Sequence, residues 1–456
     1  MSTYNTYQLQ DVQGYLANRL YDPTNQFWSL AELTLYIQEA LQTWNALTNF
    51  WRGDFTFQTN QNQWWYDLTQ LTNTLRPMTA TIAGLYPILN YHLLEPPTGI
   101  VSAQFTQAEQ YQAILFRENE VLSECGTNPT VEYIPAVNGR ITLADGTFDV
   151  IRISYQPAAP YALLNGYGAG AYGMGPYGVS NEIPGYPQNT TLWKEDTWAE
   201  QSFNEHYLQA PAGLPFAYLM STQGPISFDT DCPPGFGGQY EVMLTGEAGA
   251  SSIIIPNDWV HILKWGALAY LLNTESNAKD NSRAKYCEER FKLGKIMLQN
   301  ASALLAMRCN NVPLQVDSVM AGDQYNTRWQ AQASNTPQYA YQAGLNLVAL
   351  SPAPWSTCSM TATVVENAPL PVDPTDFVQV SQDVLDTLLD YAQHLAAFKM
   401  GGAEFSATMP MLERFMTEAK VYNSKLAEMG EYNDFLLGIS QMNERRNPRL
   451  DPEVLA

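Results

Sequence analysis

Apolar residues recur at three-and-four spacing in several long stretches of this chain, a periodicity that predicts amphipathic helices. The clearest face runs through Trp259, Ile262, Leu263, Gly266, Ala267, Tyr270 and Leu271. It follows an apolar run, Ile253-Ile254-Ile255, and a helix start at Pro256-Asn257-Asp258, whose side chains can accept first-turn N–H bonds. After a polar break at 273–282, a second face carries Ala284, Cys287, Phe291, Gly294 and Leu298. Together they predict an αα-hairpin with small residues on its inner face. A similar unit is expected near the other end. Phe377, Val380, Val384, Leu388, Tyr391 and Leu395 form its first face, Met400-Gly401-Gly402 breaks it, and Phe405, Leu412, Phe415, Ala419, Tyr422 and Leu426 return. Each returning helix carries a Glu/Arg/Phe cluster (Glu288-Glu289-Arg290-Phe291 and Glu413-Arg414-Phe415), a pattern that fits an internal duplication.

The first part of the chain is read the same way. A weak helical period covers 9–20. Ser29 and Glu32 then have capping-box spacing ahead of a face formed by Leu33, Ile37, Ala40, Leu41, Trp44, Leu47 and Trp51, with Gly53-Asp54 as its end. Residues 55–57 and 64–68, aromatic and joined by a polar loop, predict a small β-hairpin. Thr106 and Glu109 form a second capping box, opening a helix with Tyr111, Leu115 and Leu122. A further hairpin is expected from 140–143 and 148–155 around Asp145-Gly146, a pair suited to the positive φ of a tight turn. The fold class that emerges is mainly α with β-hairpins (α+β), amphipathic helical hairpins accompanied by a loop-rich insertion and small β elements. Five divisions follow: 1–155, helices and hairpins; 156–252, a Gly/Tyr/Pro-rich insertion; 253–310, a helical hairpin; 311–371, an extended linker or contact segment without sustained period; and 372–456, a second hairpin with a basic tail. The long Gly/Pro/Tyr and Gln/Asn/Ser segments are expected to be loop-rich and ordered by neighbouring subunits.

Charge narrows the function. The 456 residues hold 23 basic against 45 acidic side chains, a formal charge of −22, which argues against coating nucleic acid or an anionic membrane. Charged residues are scarce, at 15%, and Gln, Asn, Thr and Tyr supply the polar surface instead, a composition suited to packing against copies and partners. No apolar run has the length of a bilayer span, and 1–20 lacks the pattern of a signal peptide, so synthesis in the cytoplasm is expected. Cys125, Cys232, Cys287, Cys309 and Cys358 are odd in number and without a CxxC, which predicts reduced thiols.

No candidate chemistry outweighs its plain structural reading. His92, His206, His261 and His394 are scattered, where metal or general-base work needs clustering, so structural or interface roles are expected. The run GYGAGAYGMGPYG within 165–180 has GxG spacings but lacks the strand-turn-helix setting of a phosphate loop. Asp229-x-Asp231 begins like a calcium loop and is broken by Cys232-Pro233-Pro234; Glu195-Asp196 and Glu404 are the other noted carboxylates. The reading is therefore a non-enzyme without cofactor or metal. Arg445, Arg446 and Arg449 form the one basic cluster of an acidic chain and are the candidate interface residues, suited to docking on an acidic neighbour.

Taken in order, some of these elements resemble a known family. Phe27-Trp-Ser-Leu-Ala-Glu-Leu-Thr-Leu-Tyr-Ile-Gln-Glu-Ala-Leu41, then Phe55-Thr-Phe57 and the WWYDL stretch, are similar to the opening of adaptor (head-to-tail connector, or neck) proteins of tailed bacteriophages. Arg152-Ile-Ser-Tyr-Gln-Pro157, and Ile255-Pro256-x-x-Trp-Val-His261 leading into Gly266-Ala-Leu-Ala-Tyr270, resemble that family's strand and helix start. The likeness covers 20–70 and 148–300. This chain departs from it in its length, its Gly/Tyr-rich insertion and its additional C-terminal hairpin. The resemblance implies a structural virion protein, made in the host cytoplasm, forming a homo-oligomeric ring, usually twelvefold. Its implied partners are the portal protein, other neck or tail proteins, and DNA that passes without sequence-specific binding; no membrane is involved. An acidic channel lining would repel passing DNA. The alternative is a tail-associated receptor- or glycan-binding protein, or a virion-associated hydrolase, with the Tyr-rich 156–252 as its recognition surface; it lacks the β-rich repeats or trimeric coiled coil of fibres.

Overall fold

The computed structural model describes residues 4–71, 80–94, 105–157, 190–196, 211–246, 248, 251–274 and 279–446, apart from 214, 221–226, 236, 326–328, 332 and 335. The Gly/Tyr run at 165–180, His206 and Arg449 lie outside them. The chain mixes α and β structure, with one helical body and two β units.

The helical body is assembled from three separate parts of the sequence. Helices α1 (Leu9–Arg19) and α2 (Leu30–Thr48) come first, then α3 (Ile82–Leu93) and α4 (Gln107–Cys125). The central hairpin is α5 (Val260–Asn273) and α6 (Asn281–Gln299), and the C-terminal group is α7 (Gln382–Ala397), α8 (Met409–Tyr422) and α9 (Gly430–Arg446). One continuous core runs through all nine of these helices, with Trp259, Leu263 and Leu388 buried in it as expected. The small residues act as predicted. A Cβ on Gly266 would stand 2.8 Å from the Phe291 ring, and one on Gly294 would stand 2.8 Å from Ile262, so α5 and α6 approach as only glycine permits.

Caps and ends differ in detail from the sequence reading. The Ser29 hydroxyl caps Glu32 N–H, but the Glu32 carboxylate turns to Tyr36 and Lys399 instead of closing the box. The Thr106–Glu109 box is complete in both directions. Helix α2 ends at Asn49, in left-handed conformation, before Gly53 is reached. Asn257 and Asp258 do not cap their own helix. Asn257 accepts the Ala80 N–H, and Asp258 accepts from Asn45 and Ala368, because both are drawn into long-range contacts. In α4 the buried apolar face is Ala113, Ile114, Val121 and Leu122, rotated from the Tyr111/Leu115 stripe. Residues 372–381 are not yet helix. They run against the N-terminus, where Leu9 N–H donates to Asp376 C=O and Val378 N–H to Tyr7 C=O.

The larger departure is in the β structure. Residues 311–371, expected to be a linker, supply most of a seven-stranded sheet. Its order is Arg52–Gln58, Ser359–Val365, Leu304–Cys309, Val312–Ser318, Tyr339–Ala343, Leu347–Ser351 and Trp65–Asp67. All neighbours are antiparallel except Val312–Ser318 with Tyr339–Ala343. The expected hairpin of 55–57 with 64–68 is therefore corrected: the two strands are opposite edges of one sheet. The sheet curls so far that Phe57 and Tyr66, on those two edges, meet with ring centroids 5.5 Å apart over a shared core.

The hairpin of 140–143 with 148–155 is corrected too. Arg140–Thr142 pairs with Ser227–Thr230, while Thr147–Gln156 pairs with Gln239–Gly246. The Asp145-Gly146 turn carries the chain between two four-stranded sheets that face each other across Ile153, Tyr155, Tyr218, Phe228 and Tyr240. The described parts of 156–252 are thus half of a sandwich whose other half is 130–156, and not an insertion beyond it. The outer face of this sandwich meets the curled sheet through Met243, Trp65, Trp329 and Tyr341. Arg152 fixes the joint: it forks onto both oxygens of Asp323 at 2.7 and 3.0 Å, and also reaches Glu241, Gln330 and Thr191.

Two tests follow from the packing. Leu263→Ala or Leu388→Ala should cost on the order of 2–5 kcal/mol through lost burial and a residual cavity. Gly294→Ala should cost about 1–3 kcal/mol by forcing Ile262 aside. Thermal melts of the purified variants that match the parent would contradict the helical core.

Candidate functional site

The titratable groups collect in a hub where α2, α3, α5, α6 and α7 meet, and its centre is Lys264. The ammonium lies 2.5 Å from each oxygen of Glu39 and 3.4 Å from His92 Nε2, and it stands 3.9 Å above the Trp265 ring. All three N–H bonds thus have acceptors. Burial lowers the lysine from its ordinary value and Glu39 opposes that fall. His92 is caged by Tyr36, Trp265 and Phe398, and burial holds it well below the usual histidine range, with Lys264, Arg283 and Lys399 adding to the effect.

A second chain of bonds runs from His394. The Thr408 hydroxyl donates to Phe405 C=O, so His394 Nδ1–H donates to Thr408, while Nε2 lies 2.6 Å from the Tyr286 hydroxyl. Burial holds this ring well below the usual histidine range, which keeps it neutral and leaves Nε2 to accept from Tyr286. Arg290 donates to the Tyr391 hydroxyl beside it. His261, pushed down to about 3 chiefly by burial, is also neutral and bonds the Asp258 carbonyl.

A lysine beside a histidine and a carboxylate has the ingredients of acid–base chemistry, but here the side chains of Lys264 and Glu39 are only 1% and 6% exposed. The trio joins three helices and has no opening for a substrate. Among the described residues, no group of three or more His, Cys, Asp or Glu is placed to hold a metal ion. All five cysteines are free thiols. Both Asp229 oxygens are taken by Arg140, at 2.7 and 2.8 Å, and Asp231 accepts backbone N–H groups of Phe216 and Cys232, so the paired aspartates do not converge. Glu195 and Glu404 are exposed and far apart in the fold. Sequence reasoning missed Glu39, Lys264 and Arg290; the signal was a lone charge set within an apolar helical face.

Other features face outward. Trp193, on a sandwich strand, and Phe216, just before the neighbouring strand Ala217–Met220, are 70% and 56% exposed and joined by a backbone bond, and Phe116 and Tyr270 form an exposed ring pair between α4 and α5. A groove of about 350 Å³ between α6 and α9 has Leu293, Ile296 and Phe435 in its floor, with Glu289, Glu431 and Asp434 among its lining. Helix α9 runs on to Arg446, so Arg445 and Arg446 close a helix instead of belonging to a tail that starts after Gly438; Ile439 is buried in the core. Their side chains, like Arg449, lie outside the described residues.

Comparison of the chain with protein-family models and with curated proteins found no match. Among the described residues no helix is long and apolar enough to cross a membrane.

Glu118 yields a pH test. Its side chain is buried on α4; one oxygen accepts the Ile254 N–H at 2.7 Å and the other has no partner among the described residues. Burial raises this carboxyl from 4.5 to about 7. A folded value above the unfolded one means that its contribution is complete below about 4.5 and is lost as pH climbs toward 7. Glu118→Gln keeps the acceptor and cannot ionise. Its stability relative to the parent should rise between those pH values by up to about 3 kcal/mol and then level off. Paired melts across pH 4–8 that show a constant difference would exclude this titration.

Proposed function

We propose that this chain is a structural component of a tailed-bacteriophage virion, forming an oligomeric connector ring that joins the portal to the tail and surrounds the DNA path. The observation that carries the reading is where its resembling stretches lie. The 27–44 stretch, which forms most of α2, and the 255–270 stretch, which leads into α5, are far apart in sequence and are clamped together by Glu39 and Lys264, so the likeness belongs to one packed unit and not to scattered segments. Exposed aromatic side chains on a surface poor in charge offer contact area for neighbouring copies. A net charge of −22 suits a wall past which DNA must slide. The groups that could do chemistry are spent in the buried hub, which favours scaffolding over catalysis. The exposed Trp193–Phe216 pair supports a second reading, a tail-associated protein that stacks aromatic rings on glycans.

Native mass measurement and negative-stain imaging separate the two. A closed ring supports the connector; a monomer or trimer that binds oligosaccharide in a glycan screen supports the alternative. The proposed interface role of Arg445, Arg446 and Arg449 has its own test. Replacing all three by Gln, which leaves Ile439 in place, should keep the Tm while weakening assembly, most strongly at low salt where the lost attraction is largest. Unchanged incorporation into particles would show that these arginines are merely solvated.

A further inference from the structure

A cavity of about 20 Å³ lies where α2, α5, α6 and α8 converge, lined by Thr43, Trp259, His261, Trp265, Arg290 and Met416 among others. Three of these side chains, all more than nine-tenths buried, carry nitrogens with no partner among the described residues: Trp259 Nε1, Trp265 Nε1 and Arg290 Nη1. Indole and guanidinium nitrogens are donors only, so whatever satisfies them must accept. Arg290 is also a buried cation. Its ring neighbours Trp265 and Tyr391 and its bond to the Tyr391 hydroxyl attenuate the charge, but none of the described carboxylates pairs with it. Glu39 gives both oxygens to Lys264, and Asp258 accepts from Asn45 and the Ala368 amide.

From this arrangement we propose that the cavity is a binding site for one monatomic anion of chloride size. Burying a guanidinium without a paired carboxylate is costly, and its unpartnered Nη1, with the two unpartnered indole nitrogens of residues lining the same cavity, makes an anion-accepting set. Size excludes the polyatomic anions. At about 20 Å³ the space suits one water-sized occupant and is too small for phosphate, sulfate or a carboxylate. A water molecule would satisfy the donors but would bring no negative charge to the guanidinium. The occupant bridges both arms of the central hairpin, α5 with its start and α6, through a single ion beside Thr43 of α2.

The test uses the full chain and bromide as the probe. Crystals soaked in sodium bromide should give an anomalous peak inside the cavity, within hydrogen-bond reach of the Trp259, Trp265 and Arg290 nitrogens. In solution, Tm should shift upward and saturate as chloride or bromide replaces gluconate at constant ionic strength. Trp259→Phe keeps a ring in place and removes one donor, so it should move the midpoint of that halide dependence several-fold to higher concentration; Arg290→Gln should abolish it. Should Arg290→Gln fail to fold, Trp259→Phe and the bromide map still decide. Water density without anomalous signal, a Tm that follows ionic strength alone, or a Trp259→Phe midpoint equal to the parent's would each overturn the assignment.

Discussion

The structure turns on a buried lysine. Lys264 sits on a helix whose other side chains are almost all apolar, and its ammonium can be buried only because α2 supplies Glu39 and α3 supplies His92 at bonding distance. Removing either acceptor would strand a charge in the core, a loss that exceeds whatever the intact pair contributes. What the pair provides is register. Three donors aimed at three fixed acceptors allow one rotation of α5 against α2 and α3, whereas an apolar contact would tolerate several. Around that point the large rings take their places. Trp265 lies beneath the ammonium, Phe398 and Tyr286 pack edge-on against Trp265, and Phe405 closes on Tyr286 and His394.

The β units are held in place by buried polar joints, two of which are each made by one side chain that serves several segments. Asn45 on α2 donates to Asp258 and to Glu366 C=O and accepts from Trp51 N–H, which ties the start of the first sheet strand and the end of the last one to the helix. Asn346, in the turn after Tyr339–Ala343, donates to Pro129 C=O just beyond α4. Arg152 then anchors the sandwich to the 319–331 segment. Because Asn45 and Arg152 are buried and each is bonded to several partners, a shift of one body against another would leave polar groups without bonds, at a cost of about 1–3 kcal/mol for each.

How much was legible in the sequence follows from the range of the forces involved. Helical periods and caps are local, so Leu30–Thr48, the Thr106 box and the Gly266/Gly294 faces could be read directly. Strand pairing is not local. Residues 52–58 find their partner at 359–365, some three hundred positions away, and a nearby aromatic run with a polar loop between them imitates a hairpin. The strands of 339–365 are also rich in Ala, Ser, Thr and Gln, residues that give little periodic contrast, yet alternate positions such as Met360, Ala362 and Val364 face the core. Asn257 and Asp258 had the right chemistry for caps and were claimed by distant amides instead. The hub was harder still. Glu39 and Lys264 each read as an interruption of an apolar face, and only their meeting explains either one.

A protein with this interior has little freedom to rearrange around its hub, and that bears on how it would work in an assembly. The histidines of the hub are neutral and buried, the arginines and the lysine are held in place, and the polar chemistry is turned inward. The outward side chains include Trp193, Phe216, Phe116 and Tyr270, rings that bring large contact area with few rotatable bonds to freeze. A subunit that must fit between identical neighbours gains from that division, because a stiff body loses little conformational entropy on assembly and most of its contact energy remains available for binding. Specificity between copies then falls to the few charges that do reach the surface. In a chain this acidic, like charges facing each other are the default, so the positive groups decide which faces can approach. In the proposed ring the sparse arginines would therefore matter more than their number suggests, and the aromatic patches would supply affinity only where an arginine has first allowed contact.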